Sequence, residues 1–294
     1  LDAFVPVGRG QSMILRFPPK VTSDQLRQYM AHVVKAQANS NVQVFTYATC
    51  PEEATEMRNL LGEAERRKCT IVTARQKNAG EVVLAMNAAM GLGEMCRDAG
   101  GDSLVLLDLE HLERIWSTLD EVVLMQDLTN RAKQVSPKRL SEEGNEMNEA
   151  LVEYVETKNA ASSRRRFFLG CFLQRASRNG DGLGGGSMSL LAFARAQDNG
   201  QLSKEELEKK LKSIETMNLD AAVKEKALAK LQEQMAGLSE DGRVTGIPDV
   251  FIEESKAVTD GHVVMSDDCI AEDGSLHWAV DLRQSVARGI TAES

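Results

Sequence analysis

A glycine-rich run at residues 180–186 is the first feature that suggests chemistry, because glycine-rich loops can hold phosphate groups. Such loops end in a Gly-Lys-Ser/Thr triplet that opens a helix, so that backbone N–H groups, the lysine and the hydroxyl surround phosphate and magnesium. Here the run ends at Gly186 and leads into a β-rich segment, without that triplet. Residues 180–186 are therefore predicted to form a flexible loop rather than a phosphate site.

Cysteine and histidine are too scattered to suggest a metal site. The cysteines are odd in number and contain no C-x-x-C pair, a pattern typical of reduced intracellular thiols. The five cysteines are Cys50, Cys69, Cys96, Cys171 and Cys269, and the four histidines are His32, His111, His262 and His277. We expect neither a disulfide framework nor a bound metal.

Composition places the chain among ordinary globular proteins. Of its 294 residues, 42% are hydrophobic and 27% are charged, and the formal net charge of -9 argues against a nucleic-acid partner. A basic cluster at residues 164–166 is a local exception. No apolar stretch approaches the roughly 18 residues that a membrane span needs. The chain opens at Leu1 rather than at methionine, so we expect a start that was cut or processed.

Apolar β-rich runs alternate with helix-period segments through the first 110 residues. The predicted strands are 13–17, 42–47, 70–73 and 103–107, and the predicted helices are 23–37, 52–67 and 82–96. Ser23 is the expected N-cap of the first helix. Short, wholly apolar strands in this order indicate a parallel sheet that is covered on both faces, and hence an α/β fold.

Two segments of the second half depart from this pattern. Residues 120–160 are mostly polar with a helical tendency, and residues 198–245 predict a helical hairpin that begins with a capping box at Ser203 and Glu206. The hairpin either folds onto its own domain or serves as a partner-binding arm. Further strands are predicted at 187–193, 262–265 and 278–282.

Several segments, in the family's order, resemble the central domain of the F-type ATP synthase alpha subunit. They are L-D-A-F-V-P-V-G-R-G-Q at 1–11, M-G-L-G-E-M-C-R-D-A-G at 90–100, L-V-L-L-D at 104–108, L-Q-R-A at 173–176, G-G-G-S-M-S at 184–189, T-D-G-H at 259–262 and A-V-D-L-R-Q-S-V-A-R at 279–288. The resemblance implies a RecA-like P-loop NTPase fold with a mainly parallel central sheet, as one domain over residues 1–294. It also implies that 120–160 and 198–245 are helical insertions. Flagellar-export and vacuolar relatives share parts of the pattern.

The resemblance places the family's phosphate-binding loop, G-x-x-x-x-G-K-[ST], at residues 17–24. An ungapped count from residues 8–11 puts Phe17 and Thr22 at the two glycine positions, Ser23 at the lysine and Asp24 at the magnesium-binding hydroxyl. A carboxylate at Asp24 would repel a triphosphate. Lys20 is a candidate for a displaced phosphate lysine, although no cradle surrounds it in the sequence. The phosphate loop is thus predicted to be degenerate.

Three more family positions bear on catalysis. Where catalytic members carry a G-E-R turn, this chain has Cys50-Pro51-Glu52, and Glu52 is one residue out of register. We expect Glu52 to favour a helix N-terminus rather than to act as a general base. Asp108 occupies the family's magnesium-aspartate position and either keeps that role or caps the sheet edge. Arg288 matches the arginine that acts in trans, with a surface salt bridge as the alternative.

A function is suggested by the family resemblance together with the loss of the phosphate-loop residues and of the catalytic turn. We expect a non-catalytic pseudo-ATPase without a cofactor, a structural or interaction subunit of a larger complex of protein subunits. A mitochondrion or chloroplast is the expected location. The alternative is a nucleotide-responsive subunit that binds ATP and magnesium weakly, or that supplies Arg288 to a partner ATPase such as ATP synthase.

Overall fold

The central feature is a sheet in the computed structural model, which describes residues 8–134, 161–178, 185–197, 246–266 and 279–287. The strands are β1 (Ser12–Phe17), β2 (Gln43–Ala48), β3 (Cys69–Thr73), β4 (Asp102–Asp108), β5 (Ser177–Arg178), β6 (Ser187–Arg195), β7 (Gly261–Val264) and β8 (Val286–Ala287). Their spatial order is β3-β2-β4-β6-β1-β7-β8, with β5 paired to β6. All neighbours from β3 to β7 are parallel, whereas β5 and β8 pair antiparallel. The predicted α/β fold with a mainly parallel sheet is confirmed.

Helices connect the parallel strands, as crossover connections require. They are α1 (Ser23–Ala36), α2 (Pro51–Asn59), α3 (Glu63–Lys68), α4 (Ala79–Asp98), α5 (Leu109–Gln134), α6 over residues 161–173 and α7 (Asp249–Ala257). None of the described helices is both long and apolar enough to cross a membrane.

Two hydrophobic cores cover the two faces of the sheet. Consecutive residues of β1 alternate between them: Ile14 packs into one core, while Met13 and Leu15 pack into the other. The first core joins α4, α5, α6 and α7 to the sheet, and the second joins α1 and α2. Burial on both faces explains why the strands are largely apolar in sequence.

Local predictions needed correction at three points. The N-cap of α1 is Thr22 rather than Ser23, because Thr22 has extended backbone angles and its hydroxyl accepts from the N–H of Gln25. The single helix predicted over 52–67 is two helices, and Gly62 is the N-cap of the second. The strand predicted at 278–282 is, among its described residues, one bridge between Met265 and Val280.

The two predicted insertions are described only in small part. Residues 120–134 continue α5, which begins at Leu109 directly after β4. Residues 135–160 and the hairpin predicted over 198–245 lie outside the described residues.

Candidate functional site

A cleft of about 550 Å³ lies at the carboxyl edge of β2 and β4, enclosed by α1, α2, the start of α4 and α5. Parallel α/β sheets bind ligands at this edge, and the volume falls in the usual range for ligand sites. The lining includes the carboxylates Glu52, Glu53, Glu56, Asp108 and Glu110 and the cationic side chains Arg27, Lys77 and Arg114. We refer to it as the carboxyl-edge cleft.

The loop from β1 to α1 borders this cleft and closes on itself. Thr22 and Gln25 form a capping box: the Thr22 hydroxyl accepts from the Gln25 N–H at 3.2 Å, and Gln25 Oε1 accepts from the Thr22 N–H at 2.9 Å. The Val21 N–H donates to the Pro18 carbonyl at 3.1 Å. Capping of this kind satisfies N–H groups that a helix start otherwise presents to an anion.

The four positions predicted to replace the phosphate loop take ordinary structural roles. Phe17 is fully buried at the end of β1, 4.7 Å from the ring of Tyr29 and 6.3 Å from that of Phe193. Thr22 is the N-cap, Ser23 opens α1, and Asp24 is an exposed first-turn residue that pairs with Arg27. Lys20 is exposed and is not among the described residues that line the cleft.

Arg195, which the sequence prediction missed, connects this loop to the rest of the edge. Its guanidinium lies at the end of β6 and is only 7% exposed. It donates to the Val21 carbonyl at 3.1 Å and to Glu110 Oε2 at 2.8 Å. Arg114 donates to the other Glu110 oxygen at 3.0 Å. A buried ion pair therefore holds the β1–α1 loop against the start of α5.

Asp108 lies at the floor of the cleft, at the end of β4. Its Oδ1 accepts from the Glu110 N–H at 2.8 Å, so the carboxylate caps the start of α5. Burial raises the pKa of Asp108, the nearby His111 opposes this, and the Glu110 and Glu53 carboxylates add to it. Asp108 therefore lies among other carboxylates at the floor of the cleft and contacts the start of α5.

Tyr47 and His111 form a short hydrogen-bond chain beside Asp108. The Tyr47 hydroxyl lies 3.0 Å from the Asp108 carbonyl oxygen and 3.0 Å from His111 Nδ1. A carbonyl only accepts, so the single hydroxyl proton goes to Asp108 and His111 Nδ1 must donate. Burial, followed by the Asp108 charge, raises the pKa of Tyr47 well above its ordinary value. Tyr47 therefore stays protonated and bridges β2 to α5.

Glu53, rather than Glu52, is the α2 carboxylate that is held in the cleft. Its Oε2 accepts from the Thr49 N–H at 2.6 Å and from the Thr49 hydroxyl at 2.5 Å. Burial would raise the pKa of Glu53, but His111 and the Thr49 hydrogen bonds outweigh it and lower the pKa. Glu52 sits exposed in the first turn of α2, where backbone N–H and Cys50 hydrogen bonds lower its pKa, as expected for a helix N-terminus.

The remaining sequence candidates lie elsewhere or outside the described residues. Gly186 begins the approach to β6 at the opposite, amino edge, where an added Cβ would stand 2.2 Å from the Gly101 carbonyl oxygen. Close packing therefore requires this glycine. Residues 179–184 and Arg288 are not described.

The basic and metal-ligating residues form no further site in the described part of the chain. Arg164 and Arg166 pair with Asp120 and Glu254, and Arg165 lies over the Trp116 ring at 5.6 Å. No group of three or more His, Cys, Asp or Glu side chains among the described residues could hold a metal ion. The four described cysteines are free thiols.

Comparison with known proteins supports the fold. No protein-family model matches the sequence, and no curated protein is significantly similar to it. Among solved structures, the chain is similar to an ATPase from the type III secretion system of pathogenic bacteria, with 17% identity and a TM-score of 0.51 over 99% of this chain. It is also similar to the ATP synthase subunit NeqB from Nanoarcheaum equitans, with 13% identity and a TM-score of 0.54 over 99% of this chain.

The present chain spans 62% and 55% of the lengths of those two proteins. At this level of identity the similarity shows the fold alone: the chain shares the arrangement of its sheet and helices with those two structures.

Proposed function

We propose that this chain is a non-catalytic ATPase-fold protein, a structural or interaction subunit of a larger complex. The observation that carries the proposal is the closed β1–α1 loop. The Thr22–Gln25 capping box uses two backbone N–H groups, and Arg195 holds the Val21 carbonyl. Backbone N–H groups at a helix start bind phosphate only when they point at it unoccupied.

The charges of the carboxyl-edge cleft support the same conclusion. Its lining has five carboxylates against three cationic side chains. Arg27 is engaged by Asp24, Glu53 and Glu56, and Arg114 is engaged by Glu110. A nucleoside triphosphate is negatively charged, and so is the lining of the cleft. Repulsion between the two disfavours its approach.

The role as a subunit rests on analogy. One similar structure is described as an ATP synthase subunit, and the sequence resembles the alpha subunit of that assembly. A domain that keeps the fold without its phosphate loop still offers surfaces for subunit contacts. We include an organellar location, mitochondrion or chloroplast, in the proposal.

A hydrolysis assay tests the loss of catalysis. Purified full chain with magnesium and ATP should release phosphate no faster than buffer. The Asp108→Asn variant should behave identically, because Asp108 caps α5 rather than holding a metal. Hydrolysis by the unaltered chain that Asp108→Asn abolishes would overturn the proposal.

Native fractionation tests the role in a complex. A tagged chain expressed at its natural level should elute with other subunits at a fixed stoichiometry, in the organelle fraction. Elution of the chain without any other subunit, from every compartment, would contradict this part of the proposal.

A further inference from the structure

The outward face of α4 carries an uncharged stripe that consists of Leu84, Ala88, Gly91 and Met95, here called the α4 stripe. Spacings of four, three and four residues place these side chains on one face of a helix. Leu84 is 69% exposed and Met95 is 68% exposed. A Cβ added at Gly91 would meet no atom of the described residues within 4 Å. The stripe is therefore open to contact along its length.

The opposite face of α4 is also apolar and packs on the sheet through residues that include Val82, Met86, Ala89 and Gly93. No Asp, Glu, Lys or Arg occurs in α4 between Glu81 and Glu94. The exposed Asn87 is the one polar side chain of α4 between those two residues, and an exposed helix face that is otherwise apolar marks a contact surface. We therefore expect the α4 stripe to contact another protein surface.

The order of side-chain sizes in the stripe is symmetric. Large, small, small and large residues follow one another, with equal spacing about the midpoint between Ala89 and Met90. A two-fold axis across the helix at this point places Leu84 opposite Met95 of a second copy. The same axis places Ala88 opposite Gly91, and small residues at the crossing let two helix axes approach to about 8 Å. A surface that complements itself in this way is what a two-fold dimer requires.

The charges at the two ends of α4 agree with an antiparallel pair. Arg75 and Lys77 are exposed just before the helix, with an Arg75 side chain that is 89% exposed, and Asp98, the last helical residue, is 58% exposed. Antiparallel pairing brings each cationic end toward the acidic end of the other copy and aligns the helix dipoles favourably. The intrachain partners of Arg75 and Asp98, Glu81 and Arg97, lie at the same ends.

We infer that the α4 stripe is the contact between two copies of this chain, which pair as antiparallel α4 helices. The stripe is about 16 Å long, so the contact buries less than the roughly 800 Å² per partner of a standard interface. The dimer is therefore weak and forms at high protein concentration. This inference is independent of the proposed function, because the residues of the α4 stripe do not line the carboxyl-edge cleft and no nucleotide is involved.

Sedimentation of the full chain over a concentration series tests the dimer. The weight-average mass should rise toward twice the monomer mass by about 0.5 mM protein, as expected for a dissociation constant in the micromolar range or above. Gly91→Lys should abolish this rise, because a lysine at the crossing would face Ala88 of the other copy and hold the two helices apart. The matched control is Gln28→Lys on α1, an exposed position on the other face of the sheet, which should leave the rise intact.

Gly91→Lys should not harm the fold, since the site is open and lysine favours helix more than glycine does. Thermal melting verifies that each variant is folded. A wild-type chain that stays monomeric throughout would overturn the inference, as would a Gly91→Lys chain that associates like wild type.

A charge-swap pair tests the orientation. Leu84→Lys and Met95→Glu should each abolish the mass rise. The two changes in one chain should restore it, because residue 84 meets residue 95 of the other copy only in the antiparallel arrangement. Failure of the double variant to associate would exclude the proposed pairing.

Discussion

At the scale of single residues, Arg195 contributes most to the shape of the carboxyl edge. It ties the end of β6 to the β1–α1 loop and to the first turn of α5. Its Nε is buried without a hydrogen-bond partner in the described part of the chain. In surroundings of low dielectric the pair with Glu110 is sensitive to loss of either member.

Replacing Arg195 is expected to be strongly destabilising. Arg195→Met leaves Glu110 buried with only the half-exposed Arg114, and removal of one partner from a buried pair costs about 3–5 kcal/mol. The double change Arg195→Met with Glu110→Leu should cost less than Arg195→Met alone, because no charge is left unpaired. Urea unfolding measures both. A loss below about 1 kcal/mol in Arg195→Met would show that the pair does not hold the edge together.

Asp108 and Glu53 predict opposite dependences of stability on pH. The pKa of Asp108 is raised by burial, so the folded chain loses stability as the pH rises from the ordinary pKa through the raised one. Asp108→Asn keeps an acceptor for the Glu110 N–H. It should therefore increase the free energy of unfolding near pH 7 and leave it unchanged at about pH 3, below the ordinary pKa.

Glu53→Gln is the matched comparison. The pKa of Glu53 is lowered, against its burial, by His111 and the Thr49 hydrogen bonds. Its contribution is present above the ordinary pKa and is lost as the pH falls through the lowered one. Glu53→Gln should therefore decrease stability near pH 7, in contrast to Asp108→Asn. Urea unfolding near pH 7 and at about pH 3 measures the free energy of unfolding of both variants. Changes of the same sign in the two variants would contradict the assigned environments.

The residues of the cleft show what the sequence could and could not predict. Asp108 was identifiable because it follows the apolar run 104–107, at the position where the family resemblance places a magnesium aspartate. Glu53 was missed because it and Glu52 are adjacent, and only the direction in which α2 leaves β2 determines which carboxylate Thr49 can reach. Arg195 had a signal that was not used: an arginine that closes an otherwise apolar strand, and so must be buried near a partner.

At the scale of elements, α4 offers a test within one helix. No described residue lies within 4 Å of a Cβ added at Gly91, whereas a Cβ at Gly93 would stand 2.7 Å from Val105 Cγ2. Gly91→Ala should stabilise the chain by up to about 1 kcal/mol through helix propensity. Gly93→Ala should destabilise it, because the overpacked contact outweighs that gain. Thermal unfolding shows whether each variant is more or less stable than the unaltered chain. Destabilisation by both would mean that Gly91 is covered within the chain.

Strands were easier to predict than helices, for a physical reason. Strands that are buried on both faces show largely apolar runs, and the predicted bounds of β1, β2, β3, β4 and β6 all lie within two residues of the observed ones. The helix period, by contrast, continued through 52–67 although the backbone turns at residues 60–62. The helices α6 and α7 were missed, because α6 carries three consecutive arginines and α7 has only nine residues.

At the scale of the whole molecule, the fold is held by contacts that involve no ligand. Two cores cover the sheet, and the carboxyl edge is tied by the Arg195–Glu110 pair and the Thr22–Gln25 capping box. Contacts of this kind would hold the fold together in the non-catalytic protein that we propose. The similar structures share the fold of this chain, and the acidic lining of the carboxyl-edge cleft supports the proposed function.

Calorimetric titration of the purified chain with magnesium and ATP tests this account most directly. With the β1–α1 loop closed and the cleft acidic, we predict no saturable binding up to about 1 mM nucleotide. Asp24→Asn should not create binding, because removing one carboxylate does not supply a phosphate cradle. Saturable binding of ATP by the unaltered chain with micromolar affinity would contradict the account and would favour the nucleotide-responsive alternative.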